Sequence, residues 1–420
     1  MISSNALPSI EERFIFTRKA KQKLLIALSI GVLLITCGIY IAANSHAPDN
    51  HHNVSWITRI WANIWLNAMY LTGISATGMF VVSYDYLSKA GWSVVIKRVA
   101  ESLPGFLPVT GLVMLGVFLM GGHDLFHWTH HEVYVAGSPA YDKVLAGKQG
   151  YLNTPFFLAR MVFYFVVWYW MWRKIRQYSL EEDQLGGTAL YDRSVRVGTA
   201  FVVVFAITSS TSAWDFILSI DAHWFSTMFG WYTLAGWHVS GIAVITLIVV
   251  MLRERGYLRV VNASHLRDLG KMLFAWSIFW TYLWFCQYLL IYYSNQPEEV
   301  IYFIERFGGH GGVFKAPFFI SMVLNFVFPF LILMPRDAKS THSILKVASW
   351  SVIVGHYVEF YTNIMPGTVG GGAGFGPLEI GFSIVFFAAF AWSVSHQLGK
   401  ANLIPKRHPM LEESLHHDIL

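Results

Sequence analysis

About ten apolar runs, each long enough to cross a ~30 Å hydrocarbon layer as a helix, recur along this chain. Inside such a layer the backbone has no water to bond, so each run must satisfy its own peptide groups by folding as a helix. The expected spans are Leu24–Ala43, Trp61–Ser83, Pro104–Gly121, Pro155–Trp172, Val197–Ala213, Thr227–Met251, Met272–Tyr293, Ala316–Met334, Leu345–Met365 and Leu378–His396. Composition agrees: the 420 residues are 55% hydrophobic and only 13% charged, too little polar surface to cover a soluble core of this size. The 17 Trp, 20 Tyr and 32 Phe suit aromatic belts at two bilayer surfaces. Met1 to Lys23 is polar and basic, and no small-residue cleavage site follows it, so no cleavable signal peptide is expected.

Basic residues orient the spans. Numbered along the chain, the loops on one side of the alternation hold all but six of the 30 Lys and Arg residues; the exceptions are Arg59, Lys143, Lys148, Arg160, Arg306 and Lys315. That asymmetry predicts an even number of crossings with both termini in the cytoplasm. It also explains the net charge of +5 as topological, not as a signal for nucleic acid. Pro155-Phe156-Phe157-Leu158-Ala159 opens the fourth span and Pro317-Phe318-Phe319-Ile320-Ser321 the eighth. Two parallel four-helix units would produce this echo. The expected fold is therefore all-α and integral to the membrane. It has two four-helix bundles (61–220 and 221–366), a peripheral first helix within 1–60, and a peripheral last helix with a cytoplasmic tail within 367–420.

Cysteine narrows the chemistry. Cys37 and Cys286 both lie in apolar runs, which excludes a disulfide framework and a thiolate-held iron–sulfur cluster, and no Cys-x-x-Cys-His is present for c-type haem. Redox centres, if used, belong to partners. His123, His127, His130 and His131 cluster in a loop, where the expectation is an interfacial surface and not a metal site.

The costly groups lie elsewhere. Between Thr208 and Gly241, a hydroxyl run (Thr208–Ser212) precedes Asp215, Asp221, His223 and His238. Asp215, Asp221 and His223 admit two readings, as caps of helix ends at the water interface or as members of a proton path. His238 and His356 both fall near the centre of a span, and Glu359 follows His356 by three residues, on the same helix face. His238 and His356 also form the one pair at matched depth that a haem b would need, but no second pair exists. Asp85 marks an inner span end and, with Thr77 and Ser83, would open a half-channel toward His238. Glu101 at the next span's inner end reads as a solvated interfacial charge. Arg160, a turn and a half inside the fourth span, either snorkels to the surface or holds a carboxylate such as Asp124 or Asp215. Asp124, His123, Arg160 and Gln287 are the candidates for a quinone head group, although Gln287 lies in an aromatic stripe that more often means helix packing.

Two segments carry a resemblance. Trp214-Asp215-Phe216-Ile217-Leu218-Ser219-Ile220-Asp221-Ala222-His223-Trp224-Phe225-Ser226-Thr227 resembles a signature of the NrfD-like membrane subunits of alternative complex III. Phe285 to Tyr293, followed by Asn295, Pro297 and Glu298, is similar to the same family, nearest its shorter, ActF-type members. The likeness extends over about Ile15 to Gln397. It implies about ten helices in two four-helix bundles, within a quinol:cytochrome c oxidoreductase of the bacterial inner membrane. It also implies an iron–sulfur subunit, multihaem cytochrome c subunits and a sister NrfD-like subunit as partners, sometimes with a terminal oxidase. Haem c and iron–sulfur clusters would belong to those partners, and menaquinone is the one small molecule this chain would meet. The expected role is a proton path through Asp85, Asp215, Asp221, His223, His238, His356 and Glu359, without a redox centre in the chain itself. The rival readings are menaquinol oxidation by this chain at the periplasmic face, a stand-alone secondary transporter, and a structural scaffold.

Overall fold

A computed structural model describes residues 11–44 and 55–418. Among the described residues nine helices are long and apolar enough to cross a membrane: α1 (Arg18–Asn44), α2 (Trp56–Ser88), α3 (Lys97–Leu125), α4 (Thr154–Leu185), α5 (Ala189–Phe216), α6 (Met228–Glu254), α7 (Ala263–Ser294), α8 (Lys315–Leu333) and, last in the chain, Pro377–Gly399. The helix that precedes the last one, α9 (His342–Thr368), has 27 residues and so the length to cross, but it is less apolar than the others. Its buried face explains this: Ser349, Ser351, His356, Glu359, Thr362 and Asn363 all point inward. Pro377–Gly399 is α10.

Local chemistry sets the helix ends. Asn153 accepts a hydrogen bond from the Phe156 amide (3.0 Å), with Pro155 in the first turn of α4, where a missing N–H is harmless. Asn262 and His265 form a capping box at the start of α7, and Asn295 ends that helix at φ 48°. Most helices run past the expected span ends, and at two of these ends the reason is local. The third span does not stop at Gly121-Gly122 but runs on to Leu125, because Gly121 serves packing: a Cβ there would lie 2.5 Å from Trp61. Likewise α9 continues through Pro366 to Thr368 before the glycine-rich segment takes over.

The two most deeply buried helices are α2 and α6, and they meet through small residues. A Cβ on Gly73 would overlap the Trp237 indole, and one on Gly241 would overlap Thr77. Around this pair, α2 packs with α3 and α5, α3 with α4, and α4 with α5; α6 packs with α7 and α9, and α8 with α9. Helix α1 buries little beyond Gly31 and Gly38, which seat it on α10 backbone to backbone. Midway along α8, Val323–Val327 forms a wide π turn just before Pro329, whose ring would clash with the Asn325 carbonyl in a regular α-helix. Arg13 pairs with Asn402, so the described ends of the chain lie together at one end of the bundle, the tail face. The opposite end, the loop face, carries residues 126–153, 217–227, 295–314 and 369–376.

Candidate functional site

At the centre of α9, His356 and Glu359 are completely buried, and His356 Nδ1 is hydrogen-bonded to Glu359 Oε2. The helical spacing of three residues brings them together. Glu359 Oε1 accepts from Trp280 Nε1 on α7 (3.1 Å), and the same indole lies edge-on to the His356 ring. Gly236 of α6 completes the pocket, since a Cβ there would stand 3.4 Å from His356 Nδ1 and 3.5 Å from Glu359 Oε2.

From this pair a polar file climbs α9 to the loop face. Tyr232 of α6 interacts with both Glu359 and Asn363. Tyr302, on the short helix Pro297–Phe307, donates its hydroxyl to Asn363 Oδ1 (2.9 Å). Its ring lies 3.3 Å beneath the guanidinium carbon of Arg306, one helical turn on. Arg306 is fully buried and donates to the carbonyls of Thr362 (3.0 Å) and Tyr302 (2.8 Å). Its remaining Nη2 stands 3.7 Å from Asp221 Oδ2, and Nη1 stands 3.9 Å from Glu305 Oε2. Asp221 in turn rests against Gly367, where a Cβ would fall 2.3 Å from Oδ1. The file ends at Asp221, whose side chain is 24% exposed. His356 and Gly367 are eleven residues apart on α9, so the file rises ~16 Å, about half of a ~30 Å hydrocarbon layer.

Several buried atoms along the file lack a protein hydrogen-bond partner: His356 Nε2, Asn363 Nδ2 and Arg306 Nη2, the last with only its ion pair to Asp221. So do both polar side-chain atoms of Asn325, which sits in the π turn of α8 against Gly355. Buried polar atoms are nearly always satisfied, by internal water when not by protein. The electrostatics change toward the mouth. Burial lifts the carboxyls of Asp221 and Glu305 above their usual range; Arg306 between them opposes that shift.

Not all expected path residues join this file. Asp215 is buried in a separate cluster, where Arg160 Nε and Nη2 each donate to its carboxylate at 2.8 Å and Tyr164 adds a third bond at 2.8 Å. This decides between the partners open to Arg160. His223 lies 59% exposed on the loop face, bonded to Asp142, and does not face a bundle interior. The hydroxyls of Thr208–Ser212 each donate to carbonyls of their own helix.

His238 is fully buried, with neither ring nitrogen bonded, among Phe80, Tyr84 and Trp276. Trp276 and Trp280 are one turn apart on α7, so His238 sits about a turn nearer the tail face than His356, and no hydrogen bond among the described residues links the two. Asp85 lies near the tail face in a small cavity with Ser93, Lys97 and His408. Tyr84, the residue before Asp85, packs its ring against His238, and its buried hydroxyl has no hydrogen-bond partner in the protein.

The four quinone candidates do not converge. His123 and Asp124 are exposed in the last turn of α3, and His123 Nδ1 is hydrogen-bonded to the Thr129 hydroxyl (3.0 Å). Arg160 is engaged with Asp215, while Gln287 lines a separate cavity of about 190 Å³ with Ser226 and Glu299. Among the described residues no three His, Cys, Asp or Glu side chains gather as a metal site would require.

Sequence reasoning missed Tyr232, Tyr302, Arg306, Asn325 and Asn363. Two signals were available: Asn363 follows Glu359 by four residues, and Arg306 follows Tyr302 by four on a helix with one strongly apolar face. It also misplaced Glu101. That carboxylate is buried and bonded by Arg176 (2.5 Å) and Ser179 (2.7 Å), with Lys97 and Arg98 at 3.6 and 3.8 Å.

The fold and this site define a helical, multi-pass membrane protein with a buried polar file at its centre. A scan against protein-family models finds no match to the chain, and a search of curated proteins finds none either.

Proposed function

We propose that this chain is the NrfD-like, ActF-type membrane subunit of a bacterial quinol:cytochrome c oxidoreductase and supplies a proton half-channel from His356–Glu359 to the loop face. In this reading the helices form two four-helix bundles with α1 and α10 at the periphery. Both termini are cytoplasmic, and the loop face is periplasmic. The observation that carries the channel is the buried file Glu359, Tyr232, Asn363, Tyr302, Arg306, Asp221, with its unpartnered polar atoms. A histidine bonded to a carboxylate can hold a proton at either group, and water bonded to His356 Nε2 or Asn363 Nδ2 would pass it along. Arg306, a permanent cation, holds Asp221 as an acceptor at the mouth and bars other cations. On the tail-face side, Asp85, Tyr84 and His238 are the groups available for proton entry. The resemblance of residues 214–227 and 285–298 supports the assignment to the complex and to partners holding haem c and iron–sulfur clusters.

Menaquinol oxidation by this chain is the second reading, and the cavity beside Gln287 and Glu299 is the observation in its favour. The test is purification in mild detergent, followed by reconstitution into liposomes. Haem-containing and ferredoxin-like subunits are expected to accompany the chain. Glu359→Gln is expected to lower protons moved per electron while leaving electron transfer intact. An isolated chain without partners overturns the assignment to the complex, and an unchanged proton ratio in both Glu359→Gln and His356→Gln overturns the channel.

A further inference from the structure

A groove of about 670 Å³ runs between α3 and α4 on the outside of the bundle, away from the proton file. Its walls are apolar, including Leu112, Leu115, Phe165 and Val166, and its tail-face end carries Arg173, Lys174 and Gln177. The groove exists because the two helices approach closely at one point: a Cβ on Gly111 would lie 2.9 Å from Phe165. Leu112 (71%) and Val166 (58%) remain largely exposed on its rim. From Met161 to Gln177 it follows sixteen residues of α4, or ~24 Å. That matches one leaflet: half of a ~30 Å hydrocarbon core plus a headgroup layer of roughly 6 Å.

The charge is one-sided. No Asp or Glu lines the groove. Arg173 meets Tyr169 through a long contact to its hydroxyl (3.5 Å) and over its ring (6.0 Å), and no ion pair among the described residues engages Arg173 or Lys174. Glu181, two turns past Lys174, is bonded to Gln177. Their neighbour Arg176 differs, because it turns inward to Glu101. Two cations at the boundary of an apolar groove, without a carboxylate to answer them, suit a phosphodiester whose acyl chains lie along the groove.

We propose that the α3–α4 groove is a binding site for an anionic phospholipid, with its phosphate on Arg173 and Lys174 and an acyl chain between Leu112 and Val166. The inference does not rest on the proton path or on the assignment to a respiratory complex. A neutral quinone would gain nothing from the two cations, and a zwitterionic lipid would bring its own ammonium against them.

The test is native mass spectrometry of the full chain, delipidated in detergent and titrated with phosphatidylglycerol or with phosphatidylcholine of the same acyl chains. Phosphatidylglycerol is expected to bind more tightly. In the double variant R173Q/K174Q the preference should fall by roughly 30-fold, from about fivefold for each charge near a headgroup. V166W, which fills the groove from its exposed rim, should weaken both lipids while leaving the elution volume of the protein unchanged. Equal binding of the two lipids to the wild type overturns the proposal. So does a preference that survives R173Q/K174Q, or displacement of phosphatidylglycerol by equimolar menaquinone.

Discussion

Arg160 and Asp215 are joined by two parallel hydrogen bonds of 2.8 Å, from Nε and Nη2 of the guanidinium to the two carboxylate oxygens. The side chain of Asp215 is 1% exposed and that of Arg160 11%, and the guanidinium is further sandwiched by Tyr151 and Phe156. Tyr164 bonds the same oxygen as Arg160 Nε, so three hydrogen bonds hold this carboxylate in place. Its role is to lock α4 to the end of α5.

Asp215→Asn is therefore expected to destabilise the protein without changing proton movement. Removing one member of a buried pair typically costs 3–5 kcal/mol, because the other charge is left uncompensated. Thermal unfolding in detergent should show the loss, and the surviving folded fraction should translocate protons as the wild type does. A stable Asp215→Asn that moves no protons would return Asp215 to the path.

Tyr302→Phe separates the file from its packing. The ring stays over Arg306, whereas the hydroxyl bonded to Asn363 disappears. Stability should change by no more than ~1 kcal/mol, the usual net worth of one neutral hydrogen bond. Proton flux into liposomes should drop at least tenfold, and an unaltered flux would exclude Tyr302 from the route.

Asp221 gives the loop face a pH signature. Burial raises its carboxyl above the usual 3.8, with Arg306 acting in the opposite sense. The folded state thus keeps a proton that the unfolded chain has already released, so this group's contribution to stability falls as pH rises from about 4 through the folded value. Asp221→Asn should flatten that part of the profile, and Arg306→Gln should extend the fall to higher pH. Unfolding measured from pH 4 to pH 8 distinguishes the three proteins.

His408 acts in the opposite direction at the tail face. It is buried against Tyr86 and Tyr191, and burial, aided by Lys97 and countered by Glu101, pushes it down to about 2. Docking of the tail is then favoured above the ordinary histidine value of 6.5 and weakens as pH falls below it. At pH 5 the weakening amounts to ~2 kcal/mol. Hydrogen exchange of residues 401–414 should rise between pH 7 and pH 5 in the wild type and stay level in His408→Gln.

Glu101 anchors the same face. Glu101→Gln leaves Lys97, Arg98 and Arg176 buried beside a neutral amide. A loss of 3–5 kcal/mol is expected, larger than for any exposed carboxylate on the chain. Calorimetry of Glu101→Gln beside Glu413→Gln makes the comparison.

The pairing of His356 with Glu359 was legible because it is local: three residues along a helix always face the same way. The Arg160–Asp215 bridge was not, since two helices and the approach of α4 to α5 decide it, and the sequence offered Asp124 as an equal partner. The same holds for His223, which reads as a path residue beside Asp221 but points to Asp142 on a distant loop.

Apolar run length and the placement of Lys and Arg determined by themselves that this chain is a bundle of membrane helices, because the bilayer leaves a backbone no other way to satisfy its hydrogen bonds. Which buried polar groups touch is a matter of how those helices rotate and how closely they approach. Glycines such as Gly236 and Gly367 set that approach, and only the packed structure reveals what stands opposite them. Arg306 is the clearest case: a loop cation by sequence, it becomes the buried centre of the site once the helix 297–307 folds down onto α9.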